Sequence, residues 1–198
     1  MTTNRRKIVA FDFDGTLTTK DTLLLFIRFA AGTPRFITGL SLFSPLILMM
    51  MLKLYDNSRC KERLFSWFFK GMPYSDFVEL GKRFAAKAAS VARADTTEAL
   101  KRHRQANADI YIVSASIEEW VRPYCERLAV KDVIATKAEV DADGLLTGRF
   151  ASPNCYGAEK VRRLLAIEPE RDSYRLIAYG DSSGDKEMFL FADEHFKV

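Results

Sequence analysis

The chain has 198 residues, 48% of them hydrophobic and 28% charged, which suits one globular core with a smaller insert and excludes both two full-sized domains and a disordered chain. Thirty basic residues against 26 acidic ones leave a net charge of +4, too small an excess to indicate a nucleic-acid partner. Three scattered cysteines, Cys60, Cys125 and Cys155, and only two histidines, His103 and His195, exclude a disulfide framework and a zinc site; they fit a reducing cytoplasm and leave oxygen ligands for any metal.

In chain order, Lys7 to Phe13 is apolar and β-branched and precedes Gly15, which predicts a buried parallel strand running into a tight turn. Its apolar run is too short, and too soon broken by Asp12, for a signal peptide. Asp21 to Ala31 has helical periodicity with Asp21 as a cap, and Gly32-Thr33-Pro34 breaks it. Phe36 to Leu52 then runs seventeen residues without a charge, at the short edge of a membrane span. Ser41, Ser44 and Pro45 weaken a span, so a buried or partly exposed helical hairpin is favoured; a membrane-surface element and a true span stay open as alternatives.

Asp56-Asn57-Ser58 starts the next helix, Arg59 to Lys70, with Leu64, Trp67 and Phe68 on one face; Gly71-Met72-Pro73 ends it, and Ser75 to Ala89 forms another. Thr96 to Ala106 is an exposed helix, Asp109 to Ser114 a second buried strand, Glu118 to Leu128 a helix and Asp132 to Thr136 a third strand. Asp143-Gly144 within Glu139 to Phe150 signals a β-hairpin. Glu159 to Ile167 is helical, Tyr174 to Tyr179 is a fourth strand ending at Gly180-Asp181, and Asp185 to Phe191 is a short helix.

Strands alternating with helices predict an α/β fold, a Rossmann-like doubly wound parallel sheet. Residues 1–17 and 96–198 make up this expected core, and the purely helical residues 18–95 are an expected inserted cap. No heptad repeat or interface stripe gives the oligomeric state.

Ligands of open parallel sheets bind at the carboxyl ends of the strands. Asp12-Phe13-Asp14-Gly15-Thr16, Ser114-Ala115-Ser116 and Gly180-Asp181-Ser182-Ser183-Gly184-Asp185 all follow strands, and Lys160 begins a helix between them. Asp12 and Asp14, two apart on an extended chain, face the same side. With Asp181 and Asp185 they would place up to four mutually repelling carboxylates in one cleft, and a divalent cation held by oxygen, Mg²⁺, offsets that. A phosphate suits the same cleft, because Thr16, Ser114 and Lys160 supply donors. Asp12 can then be a carboxylate nucleophile and Asp14 an acid and base.

The segment Phe11 to Thr16, Ser114 at a strand end, Lys160 in GAEKVRRL and Gly180 to Asp185 (GDSSGD) resemble, in order and spacing, the four motifs of the haloacid dehalogenase superfamily. The insert after the first motif looks like the cap of its phosphoserine-phosphatase-like branch. The resemblance implies a phosphatase with Asp12 as nucleophile and Asp14 as acid/base. It implies Mg²⁺ held by Asp12, the Asp14 carbonyl and Asp181 with Asp185 in support, and phosphate bound by Ser114, Ala115 and Lys160. It further implies a small phosphorylated substrate such as phosphoserine, its amino group met by Asp21, nine positions after the nucleophile, and its carboxylate by a cap arginine, Arg59 or Arg63. Gly184 stands where the phosphoserine enzymes usually carry Asn, which loosens that substrate assignment. A second resemblance, to phosphatidylglycerophosphate phosphatases, rests on the composition of Phe36–Leu52 and on the basic residues Lys53, Arg59, Lys61, Arg63 and Lys70 that follow.

Plainer roles compete at several positions. Ser114 could cap the helix beginning near Glu118, Asp185 could cap the last helix, and Asp21 is more often only a cap. Arg59 and Arg63 are surface residues unless the insert closes over the site.

Overall fold

The computed structural model describes residues 5–198, so the first four residues of the expected core segment lie outside it. Five parallel strands form one sheet: β1 (Arg6–Phe11), β2 (Asp109–Ile117), β3 (Asp132–Thr136), β6 (Tyr174–Gly180) and β7 (Glu194–Lys197), in the order β3-β2-β1-β6-β7. The two-residue period of β1 divides the interior. Val9 and Phe11 face a large core with Phe26, Phe65, Phe77 and Trp120; Ile8 and Ala10 face a smaller one with Leu164, Leu176 and Met188. Both faces of the sheet are therefore buried, as a parallel sheet requires. The strand order reverses at β1, which places its carboxyl end at the topological switch point.

Helices α4 (Ala94–Gln105), α5 (Glu118–Cys125), α6 (Ala158–Ile167) and α7 (Lys186–Phe191) accompany the strands. The region between β1 and α4 holds α1 (Thr22–Met51), α2 (Asn57–Phe69) and α3 (Tyr74–Ala88). A two-stranded hairpin, β4 (Ala138–Val140) and β5 (Leu146–Phe150), joins this helical layer: Leu146 N donates to Met72 O at 2.9 Å and Phe150 N to Glu62 Oε1 at 2.9 Å. Asp141 Oδ1 accepts from Asp143 N and Leu145 N, and Gly144 takes φ 78°, so Asp143-Gly144 turns the hairpin as expected.

Two expectations need correction. The break at Gly32 is real (φ 77°, ψ 161°), but the helix resumes at once and runs to Met51. The apolar stretch is thus one arm of a kinked helix and not a hairpin, and of the two states expected for it, buried or partly exposed, it takes the second. Only 6% of its most apolar eighteen-residue window is buried; α2 packs on one side through Phe68 and Trp67, and no element among the described residues covers the exposed side. Strand β7 was not predicted. Its residues, Glu-His-Phe-Lys, are mostly exposed at the sheet edge and carry little apolar signal; pairing with β6 makes them a strand.

Candidate active site

Asp12 follows β1 directly, and its N–H donates to Tyr179 O at 2.9 Å, so the ladder between β1 and β6 fixes its position. The chain then turns at Gly15 (φ 74°), where a Cβ would stand 2.1 Å from Asp181 Oδ2. Glycine is required there twice, for the left-handed backbone and for the close approach of the Asp181 carboxylate. Oxygens of Asp12, Asp181 and Asp185 all lie within 4.8 Å of one another. Three hard oxygen donors at the mouth of a glycine-cleared turn suit a small divalent cation such as Mg²⁺ and no softer metal.

Lys160 enters from the first turn of α6. Its Nζ donates to Asp12 Oδ1 at 2.6 Å and to Asp185 Oδ1 at 2.5 Å, with all three side chains buried. Asp185 Oδ2 accepts from Asp181 N, Ser182 N and Ser182 Oγ at 3.1–3.2 Å, so Asp185 braces the loop that carries Asp181. Burial raises the Asp12 pKa to about 7, against the pull of Lys160. Burial also opposes the Lys160 ammonium, but Asp12 and Asp185 outweigh it and hold that pKa above the ordinary lysine value.

Asp14 points toward the helical layer. Its Oδ1 accepts from Thr22 N at 2.7 Å and its Oδ2 from Ser116 Oγ; Thr22 Oγ1 lies 3.3 Å from Ser116 Oγ and accepts from Trp120 Nε1 at 3.1 Å. Burial, with the nearby charge of Asp21, raises the Asp14 pKa, while the Ser116 and Thr22 donors restrain the shift. Thr22, Ser116 and Trp120 form an orienting shell for Asp14 that the sequence reading missed. No local signal joins them, since Thr22 lies 94 residues from Ser116 and 98 from Trp120.

Asp12, Asp14, Asp21, Ala115, Lys160 and Asp181 line one cavity of about 730 Å³. Thr16 stands behind it, with Oγ1 3.3 Å from Asp12 Oδ2, and Asp185 stands behind Lys160. Ser114 does not line the cavity; it is buried, and its Oγ accepts from Ser116 N at 3.0 Å, within the irregular end of β2 where the register against β3 shifts between Ser114 and Ile117. Asp21 caps α1, accepting from Leu24 N at 3.2 Å, and reaches the cavity as well.

Arg63 is not at the site. It is exposed, and its guanidinium lies 5.7 Å from the Tyr55 ring centroid; Arg59 is likewise outside the cavity lining. The cation that α2 delivers is Lys61, whose Nζ donates to Ala115 O at 2.7 Å. The helical period explains the exchange. Cys60, Lys61 and Leu64 share the inward face, and Arg59 and Arg63 are turned away from it. Counting back from Leu64 along its apolar face would have selected Lys61. Burial lowers the Lys61 pKa, and the carboxylates of Asp14, Asp21 and Asp12 oppose the shift.

A family model described as haloacid dehalogenase-like hydrolase matches residues 9–190. Protein CicA of Caulobacter vibrioides is 35% identical over 190 residues, which is 94% of this chain and 83% of that protein. A crystal structure of a protein of unknown function from Bordetella pertussis Tohama I superposes with a TM-score of 0.85 at 16% identity, covering 98% of this chain and 90% of that one. A phospho-aspartyl intermediate analogue of phosphoserine phosphatase superposes with a TM-score of 0.67 at 20% identity, covering 98% and 87%.

Proposed function

The chain belongs to the haloacid dehalogenase-like hydrolase family, and from that membership we propose that it is a Mg²⁺-dependent phosphatase acting on a phosphomonoester through an aspartyl-phosphate on Asp12. The observation that carries the proposal is the convergence of Asp12, Asp14, Asp181 and Lys160 on one cavity, where Asp12 and Asp181 belong to a cluster of three carboxylates completed by Asp185 behind.

Asp12 attacks phosphorus, forming the new P–O bond as the bond to the substrate oxygen breaks. Asp14 gives its proton to that leaving oxygen; the raised pKa that burial confers favours the protonated form this step needs. Asp14 then takes a proton from water as the water oxygen attacks phosphorus, and Asp12 and inorganic phosphate are released. Lys160 holds Asp12 in place and offsets charge on the phosphoryl oxygens. Asp12 and Asp181 would hold Mg²⁺, with Asp185 and the Asp14 carbonyl in support, and the ion would supply charge neutralisation for the phosphoryl group. Residues 18–95 act as the cap in this reading, since α1 and α2 furnish one wall of the cavity and the core furnishes the other.

O-phosphoserine is the first small polar substrate to test. Asp21 offers a carboxylate to an ammonium, and Lys61 takes the role expected of Arg63 toward a carboxylate. The apolar wall that α1 gives the cavity has no use for such a substrate, and that wall favours the second reading, a phosphatase for lipid-like phosphomonoesters. Phosphate release from a phosphomonoester panel with and without chelator, with Asp12→Asn as control, tests the reaction class. Mg²⁺-dependent release by the wild type alone is expected; release by Asp12→Asn at the wild-type rate would sink it.

A further inference from the structure

We propose that the cavity takes an amphiphilic phosphomonoester from an anionic bilayer, and that the uncovered side of α1 beyond Gly32 lies in the surface of that bilayer. This rests on the reading of the Asp12 cavity as a phosphatase site.

From Phe36 to Leu52 the arm of α1 carries no charge, and Thr38, Ser41 and Ser44 are its only hydroxyl-bearing residues, a composition that usually lies inside a protein or against a membrane. Here most of it lies outside the protein core. Ile37, Leu42, Leu48, Met51 and Leu52 are 57–71% exposed, and Leu54 just beyond is 71% exposed. Contiguous exposed apolar area on this scale marks an interaction surface. The same arm is continuous with the site: Leu40, Ile47, Leu48 and Met51 line the cavity whose floor holds Asp12 and Lys160. A substrate with its phosphate on that floor would lay its remaining part along these side chains, toward the exposed face.

Charge selects the kind of surface. From Thr22 to Tyr55 there is no acidic residue, while Arg28, Arg35 and Lys53 lie within the stretch. An uncharged apolar stretch bounded directly by Arg35 and Lys53, with Asp21 and Asp56 the nearest acidic residues in the chain, fits an anionic lipid surface, where each basic residue adds attraction. The arm is also tied to the rest of the protein. Gly39 is packed so closely that a Cβ would stand 2.4 Å from the Phe68 ring, and Phe43 lies 6.4 Å from Trp67, centroid to centroid. A helix held along α2 in this way lies on a bilayer and does not cross it.

The test uses the whole chain with vesicles of phosphatidylcholine alone, and of phosphatidylcholine with phosphatidylglycerol, each doped with phosphatidic acid as substrate. p-Nitrophenyl phosphate and O-phosphoserine serve as soluble substrates. The comparison variant carries Leu42→Glu, Met49→Glu and Leu52→Glu, three positions outside the cavity lining. The wild type should sediment with the phosphatidylglycerol vesicles and release phosphate from phosphatidic acid. The variant should lose both by at least about tenfold, given the transfer free energy of three large apolar side chains, with soluble turnover unchanged. Soluble turnover without vesicle binding or lipid cleavage overturns this inference and leaves the phosphatase reading standing. Sedimentation-velocity evidence of a dimer that the same substitutions dissociate, without vesicle binding, overturns it in favour of a second copy as the cover. Failure on every phosphomonoester removes both.

Discussion

Lys160 stands between Asp12 and Asp185, with its Nζ 2.6 Å from one carboxylate and 2.5 Å from the other, all buried. One ammonium therefore serves two anions, and it positions the nucleophile as well as compensating charge. Replacing it leaves two buried carboxylates unpaired, and breaking a buried ion pair by removing one partner costs about 3–5 kcal/mol. Lys160→Met is expected to unfold at markedly lower temperature and to lose phosphate release. Because a divalent cation can take over part of the compensation at Asp12, Asp181 and Asp185, Mg²⁺ should raise the melting temperature of the variant more than that of the wild type. Thermal melts with and without Mg²⁺ check this; equal increments in the two proteins would mean that the carboxylate cluster does not hold the ion.

Ser116 Oγ donates to Asp14 Oδ2, a charge-assisted bond that favours the ionised carboxylate. Ser116→Ala removes it, so the Asp14 pKa should move further up. For an acid that must be protonated to release the leaving oxygen, the alkaline limb of kcat/KM then shifts to higher pH. Ser116→Thr, which keeps the hydroxyl, should restore the wild-type profile. A profile unmoved by Ser116→Ala would remove Asp14 from the acid role.

Much of this was legible in the sequence, for identifiable reasons. That β1 is a buried parallel strand follows from its unbroken apolar run, Ile8 to Phe11, and the motif residues Asp12, Asp14, Lys160 and Asp181 each sit within a few positions of an element end, where local sequence fixes direction. What local sequence does not encode is which uncommitted surface meets which. The Asp14 shell joins Thr22 to Ser116 across the chain, whereas Lys61 was readable from the apolar face of α2 and was passed over for Arg63. A buried or partly exposed hairpin was expected for the apolar stretch because apolar residues usually find a partner; the stretch is instead one helical arm packed on α2 through Gly39 and Phe43.

Lys61 is the cation that the helical layer presents to the cavity, held by the Ala115 carbonyl and faced by Asp12, Asp14 and Asp21. Lys61→Met is expected to raise KM for phosphorylated substrates by about tenfold, the scale of one lost charge-assisted contact, with a smaller change in kcat. Arg63→Ala, on the opposite face of α2, should change neither. Steady-state kinetics on the two variants separate the assignments; a KM effect from Arg63→Ala and none from Lys61→Met would reverse them.

Glu119, in the first turn of α5, has one carboxylate oxygen 3.2 Å from Tyr74 Oη and the other buried without a partner among the described residues. Burial raises its pKa from 4.5 to about 7. The folded state thus holds a proton that the unfolded state releases near pH 4.5. The stability tied to that proton is complete below about pH 4.5 and is lost as pH rises toward 7. Discounted for the partial exposure of the side chain, the loss is about 1–2 kcal/mol. Glu119→Gln carries no ionisable proton and can still accept from Tyr74. Urea unfolding at pH 5 and pH 8 should find the variant close to the wild type at the lower pH and more stable at the higher one. If the difference between the two proteins is the same at both pH values, Glu119 is already ionised in the folded protein, and its buried oxygen must be met by a partner such as water.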